Sequence, residues 1–199
     1  MATTFGRIET LSINEIARQP LRAEQCALLV IDIQQKLLPP IFNKEQLVRN
    51  ASLLLRLAKI LDIPILVTTQ YAKGLGETVP EIATLSGVAA IDKLEFSCFG
   101  KETFCSAIKG LSGNRTTMLV CGMETHICVM QTALGALDQG YLVHVASDAV
   151  GSRTEWNWKV GLERMRDAGC VISSTEMMMY ELLRQSGTPA FKELLPHLK

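Results

Sequence analysis

The chain has no surplus of either charge: 20 basic residues balance 20 acidic ones. Nothing in that balance suggests a nucleic-acid-binding face or the acidic tail of a solvating segment. No apolar run approaches the roughly 20 residues that cross a bilayer, so neither a nucleic acid nor a membrane is an expected partner. The opening MATTFGRIETLSINEIARQP lacks an apolar signal core. Histidine is scarce, only His126, His144 and His197, and these have no ligand spacing; no metal and no cofactor is expected. The six cysteines include no C-x-x-C pair, and the chain is too long to be a small stapled scaffold, so a reducing cytoplasm is the expected location. No internal repeat, low-complexity tract or linker breaks the pattern. Residues 1–199 read as one domain with an N-terminal arm over 1–25.

What is present is an alternation of short apolar runs and amphipathic stretches. Ala27 to Ile33 (ALLVIDI) is almost continuously apolar, as a strand covered on both faces must be. Asn43 to Leu61 follows a helical period, with Leu47, Leu54, Leu57 and Leu61 on one stripe, and Asn43 with Gln46 three residues later suggests a capped start. Further strands are predicted at Ile65–Thr69, Ala89–Asp92, Thr117–Cys121, Leu142–Ser147 and Cys170–Ser173. Helices are predicted at Lys101–Lys109, Thr125–Gln139, Thr154–Ala168, Ser174–Arg184 and Ala190–His197. Gly122 is expected to break the fourth strand. Strands alternating with helices imply a parallel sheet with helices on both faces, because parallel neighbours need crossover connections. In such sheets ligands gather outside the carboxyl ends of the strands.

That rule selects residues. Asp32 ends the first strand, Gln70 follows the second, Lys93 the third and Cys128 the fourth, so all four fall on one sheet edge. A carboxylate within LLVIDIQQ needs a cation, a donor or a function to justify its burial; alone, it reads equally as a tie to a neighbouring loop. Lys93 alone reads as a solvated strand-end lysine, and Cys128 alone as a small buried hydrophobe. A cysteine at the start of a helix is also where backbone N–H groups and the helix dipole favour a thiolate. Together the three supply covalent acyl transfer: Asp32 as general base, Lys93 holding the charges in register, Cys128 as nucleophile. Cys98 reads as pocket wall and Cys105 as core. Gly74 and Gly76 lack phosphate-loop spacing.

The motifs D-I-Q at 32–34, K-x-x-F-S-C-F at 93–99 and G-M-E-T-H-I-C at 122–128 resemble those of the isochorismatase-like cysteine hydrolase superfamily. The stretch TTQYAKGLGETVPEI from Thr68 to Ile82 is similar to its isochorismatase-domain-containing branch. The resemblance runs from about Cys26 to the C-terminus. It implies an Asp32–Lys93–Cys128 triad and a three-layer α/β/α sandwich around a six-stranded parallel sheet. It also implies assembly into dimers or larger homo-oligomers, a cis peptide at Met123–Glu124, and an oxyanion hole formed by the N–H groups of Glu124 and Cys128. Metal-binding nicotinamidases of the superfamily carry an Asp-x-His pair after the second strand; Gln70 and Tyr71 stand in that region here, against a metal and against nicotinamide. True isochorismatases cleave a vinyl ether without the nucleophilic cysteine, so Cys128 argues against that reaction.

The expected function is therefore hydrolysis of a small amide or related acyl compound through a thioester. Gln34, Gln70, Tyr71, Phe99 and Trp156 are the candidate substrate-binding residues, with Trp156 a candidate to be lent by a partner subunit in an oligomer. The alternative is a non-catalytic small-molecule-binding or scaffold protein that keeps the fold. A third reading uses Asp32 and Lys93 alone for proton transfer.

Overall fold

The computed structural model describes residues 19–198; most of the expected arm over 1–25 lies outside them. Six strands form one sheet: β1 Cys26–Ile31, β2 Ile65–Gln70, β3 Ile91–Lys93, β4 Thr117–Met123, β5 Leu142–Gly151 and β6 Val171–Ser173. Their spatial order is β3-β2-β1-β4-β5-β6, and every neighbouring pair is parallel. Eight α-helices are described: α1 Lys44–Ile60, α2 Ala72–Leu75, α3 Pro80–Ser86, α4 Glu102–Lys109, α5 Met130–Asp138, α6 Glu155–Asp167, α7 Thr175–Leu183 and α8 Pro189–Leu194.

The apolar run of β1 is explained by its two covered faces. Leu28 and Val30 join Leu47, Leu54 and Leu57 of α1 and Met178 and Leu182 of α7 in one core layer. Ala27, Leu29 and Ile31 join Phe104 of α4, Ala133 of α5 and Leu162 and Met165 of α6 in the other. Successive strand side chains point to opposite faces, so one strand feeds both layers. The result is a three-layer α/β/α sandwich. The chain travels outward from β1 to β3, then returns to β4 on the opposite flank of β1. That reversal puts a crevice at the carboxyl ends of β1 and β4, where open α/β sheets bind ligands.

Several local expectations change. Gly122 does not break β4. It stays in the ladder opposite Ile31 and Val150 with φ +124°, and a Cβ there would overlap the Ile31 carbonyl; only glycine lets the strands approach so closely. Strand β3 runs to Lys93 rather than stopping at Asp92, because Lys93 pairs with Gln70. Strand β5 extends to Gly151 by slipping register, from Val120↔Val145 to Gly122↔Val150. Asn43 takes the N-cap position without capping: its Nδ2 donates to the Val150 carbonyl (3.0 Å) instead. Between β2 and α3 the chain forms the short helix α2.

Candidate active site

Asp32 is the first residue beyond β1 and adopts a left-handed backbone, φ +52°. Its carboxylate is buried, with both oxygens engaged. Oδ1 accepts from Thr68 Oγ1 at 2.7 Å, and Oδ2 lies 2.7 Å from Lys93 Nζ. Lys93 ends β3, two places from β1, a gap of roughly 9.6 Å at the usual strand spacing. A long side chain must bridge that gap over β2, and lysine does. Neither side chain of the pair is exposed, so the solvated-lysine reading of Lys93 does not hold. Two charges removed from water persist only when geometry and further hydrogen bonds compensate. Here Lys93 Nζ also donates to Gln70 Oε1 at 2.8 Å.

Cys128 reaches the same cluster from β4. After Met123, a cis peptide joins Met123 to Glu124, as the resemblance implied. Thr125–Val129 then forms a π-helical turn before α5 begins at Met130, so the single helix expected from Thr125 is two elements. Such wide turns are frequent at functional sites. The turn is pressed from behind by α6, where a Cβ on Gly161 would sit 3.0 Å from the His126 Cα. Cys128 is buried, 6% exposed, with its Sγ 4.0 Å from Gln70 Oε1.

The expected thiolate is not the resting state. Burial pushes the Cys128 thiol up, the Asp32 charge pushes it further, and Lys93 only partly opposes them. The helix-start argument loses because desolvation outweighs a dipole contribution of about 1 kcal/mol. Cys98 is raised to about 11 by the same burial and the same carboxylate; its Sγ lies 3.8 Å from Thr68 Oγ1. Cys105 is half-buried, with its Sγ toward the Phe99 carbonyl.

The other expected site residues divide. Gln70, at the end of β2, joins the cluster. Gln34 lies beside it with its amide spent on the protein: Oε1 accepts from the Gln70 N–H at 2.7 Å, and Nε2 donates to the carbonyls of Gln70 and Gly76. Tyr71 is 47% exposed, with its ring over Gly74. Phe99 turns into the core, its ring 5.3 Å from Phe104 and 6.1 Å from Tyr141. Trp156, in the first turn of α6, is 70% exposed. Glu124 holds Arg153 through its backbone N–H and its guanidinium, and His126 Nδ1 sits 3.0 Å from Ser152 Oγ.

Thr68 is the residue that sequence reading missed. Its signal was present in ILVTTQ, where period two puts Thr68 and Gln70 on one face at the polar end of a strand that begins apolar. A groove of about 600 Å³ runs along α1, lined by Lys44, Arg49, Arg56 and Glu81 among others, and includes none of the residues around Cys128.

The chain matches the isochorismatase domain across residues 26–177. It belongs to the isochorismatase family. Within that family it is 38% identical to the secreted isochorismatase effector Isc1 of Phytophthora sojae, over 86% of this chain and 83% of that protein. It is 37% identical to isochorismatase domain-containing protein 2 of Rattus norvegicus, over 88% and 82%, which supports the branch suggested by the Thr68–Ile82 stretch. Among solved structures, the YcaC gene product of Escherichia coli, described as an octameric hydrolase of unknown specificity, superposes with a TM-score of 0.82 at 26% identity, over 89% of this chain and 90% of that one. The three-layer sandwich described above is thus the isochorismatase-like hydrolase fold.

Proposed function

We propose that this isochorismatase-family chain is a cysteine hydrolase that cleaves a small amide or related C–N acyl compound through a thioester. The observation that carries the reading is the fully buried Asp32–Lys93 pair, linked through Gln70 Oε1 to the Cys128 sulfur, whose thiol is pushed up by burial and by the Asp32 charge. A protonated thiol beside a carboxylate is a nucleophile with its base already in place.

In this mechanism Asp32 takes the Cys128 proton as sulfur attacks the substrate carbonyl. The oxyanion of the tetrahedral adduct is held by backbone N–H groups of the Glu124–Cys128 turn, whose first donors have no carbonyl one turn earlier. Collapse breaks the C–N bond, and the leaving amine or ammonia takes the proton from Asp32. Water then enters, gives a proton to Asp32 and attacks the thioester; the departing sulfur recovers that proton and the acid leaves. Lys93 offsets the negative charge that alternates between Asp32 and sulfur.

Gln34, Gln70, Tyr71, Phe99 and Trp156 were the candidates for substrate contact; of these, exposed Tyr71 and Trp156 are the ones left free to meet a ligand. Trp156 lies on α6 with half-exposed Val160, a face suited to a second copy, and the octameric relative supports a homo-oligomer. Six free thiols suit a reducing cytoplasm.

The test is a panel of amides and carbamates assayed with mass spectrometry of the Cys128 peptide. Turnover with an acyl adduct at Cys128 is expected, and both vanish in Cys128→Ala. Full turnover by Cys128→Ala on any substrate so found rules the thioester out.

A further inference from the structure

The mechanism leaves Gln70 without a task, although it is the side chain of the cluster with the most partners. Gln70 uses every polar atom it has. Its backbone N–H donates to Gln34 Oε1 at 2.7 Å, and its carbonyl accepts from Gln34 Nε2 at 3.0 Å. Its Nε2 donates to the Leu94 carbonyl at 2.8 Å. That bond settles which way the carboxamide faces, because only the amide nitrogen can meet a carbonyl oxygen. Oε1 must then point inward, where it meets Lys93 Nζ at 2.8 Å and Cys128 Sγ at 4.0 Å.

We propose that Gln70 is a positioning residue, whose carboxamide oxygen holds the Lys93 ammonium against Asp32 and off the sulfur until Cys128 ionises, with Gln34 locking Gln70 in that orientation. The ammonium has three protons. One is committed to Asp32 and one to Gln70, and among the described residues Nζ makes no hydrogen bond to the Cys128 sulfur, whose one hydrogen-bond contact is Gln70 Oε1. When the thiol proton passes to Asp32, the carboxylate charge disappears and a sulfur charge appears. Lys93 then needs only a small shift to follow it, with Gln70 Oε1 as the fixed pivot. Gln34 does for Gln70 what a neighbouring strand would do, pairing with both its N–H and its carbonyl, and it ties the same amide to Gly76.

This inference rests on the proposed cysteine chemistry but is tested without a substrate. The probe is iodoacetamide, with the rate of Cys128 alkylation followed by peptide mass spectrometry from pH 6 to 10. Gln70→Met keeps the length and removes the acceptor. Lys93 is then free to turn to sulfur, so the profile should move to lower pH by half a unit or more, about threefold more thiolate at neutral pH. The Gln34 side chain bonds, among the described residues, to residues 70 and 76, and Gln34→Met should move the profile in the same direction by less.

Thermal unfolding of each variant shows that the folded protein is being read. A wild-type profile in folded Gln70→Met overturns the proposal, whatever happens to stability. Should Gln70→Met fail to fold, Gln34→Met alone decides by the same criterion. Once a substrate is in hand, Gln70→Met should lower kcat with KM held. A raised KM with kcat held would make Gln70 a substrate contact and overturn the positioning role. Absence of any turnover in the wild type would sink the hydrolase reading and leave the alkylation result standing.

Discussion

Lys93 Nζ and Asp32 Oδ2 are 2.7 Å apart with neither side chain open to solvent, although their strands are separated by a third. A buried pair of this kind is costly to break and cheap to delete whole. Lys93→Met leaves an uncompensated carboxylate and should lower the free energy of urea unfolding by about 3–5 kcal/mol. The double variant Asp32→Leu/Lys93→Met should recover most of that loss while remaining unable to form an acyl adduct. Equal destabilisation in both variants would mean that the pair stabilises the fold in its own right.

Cys128 should behave as a thiol at neutral pH. Its upward shift means that the thiolate fraction at pH 7 is smaller than for a free cysteine. The alkylation rate should therefore keep climbing beyond the free-thiol value of about 8.5 with no plateau below it. Asp32→Asn removes a charge that raises the thiol, so this variant should alkylate faster at pH 7 while losing turnover. A plateau near pH 6 in the wild type would contradict the burial argument.

His144, on β5, is buried and held neutral, its pKa lowered to about 4 from 6.5 by desolvation. The unfolded chain binds a proton near pH 6.5 that the folded chain refuses until about pH 4. Its contribution is therefore whole above pH 6.5 and lost as pH falls from there to about 4, amounting to roughly 3 kcal/mol. Urea unfolding at pH 7.5 and 4.5 should show this loss, and His144→Leu should flatten the difference.

Gly161→Ala should disturb chemistry more than stability. The added methyl would meet the His126 backbone at 3.0 Å, and the turn must shift by a few tenths of an ångström. Misplacement on that scale costs rate, since catalytic groups work only when closely aligned. A tenfold or greater fall in Cys128 acylation is expected, with melting lowered by only a few degrees. Unchanged acylation would show that the turn tolerates movement.

The layers and the strand-end cluster were legible in the sequence because both follow from periodicity and from one topological rule. ALLVIDI announced a strand covered on two sides, and the alternation of elements put residues 32, 70, 93 and 128 on one edge. What escaped were effects set by neighbours distant in sequence. Gly122 looked like a strand breaker because its positive φ serves close approach to Ile31, a residue about 90 positions earlier. Asn43 looked like a cap, yet its amide goes to Val150. The thiol of Cys128 looked depressed because local sequence carries the helix dipole and not the burial. Phe99 looked available to a substrate, but Phe104 and Tyr141 claim its ring.

The six parallel strands have one more consequence. Every proposed reacting group sits at or beyond a carboxyl end, so the helix-to-strand returns at 61–64, 87–90, 110–116, 139–141 and 168–170 all lie at the far edge. Those returns carry no chemistry. New residues spliced into 110–116, where Ser112, Gly113 and Asn114 are exposed, should leave the reactive edge untouched. The fold thus offers a place to attach tags, tethers or a second domain at the end away from the Asp32–Lys93–Cys128 cluster.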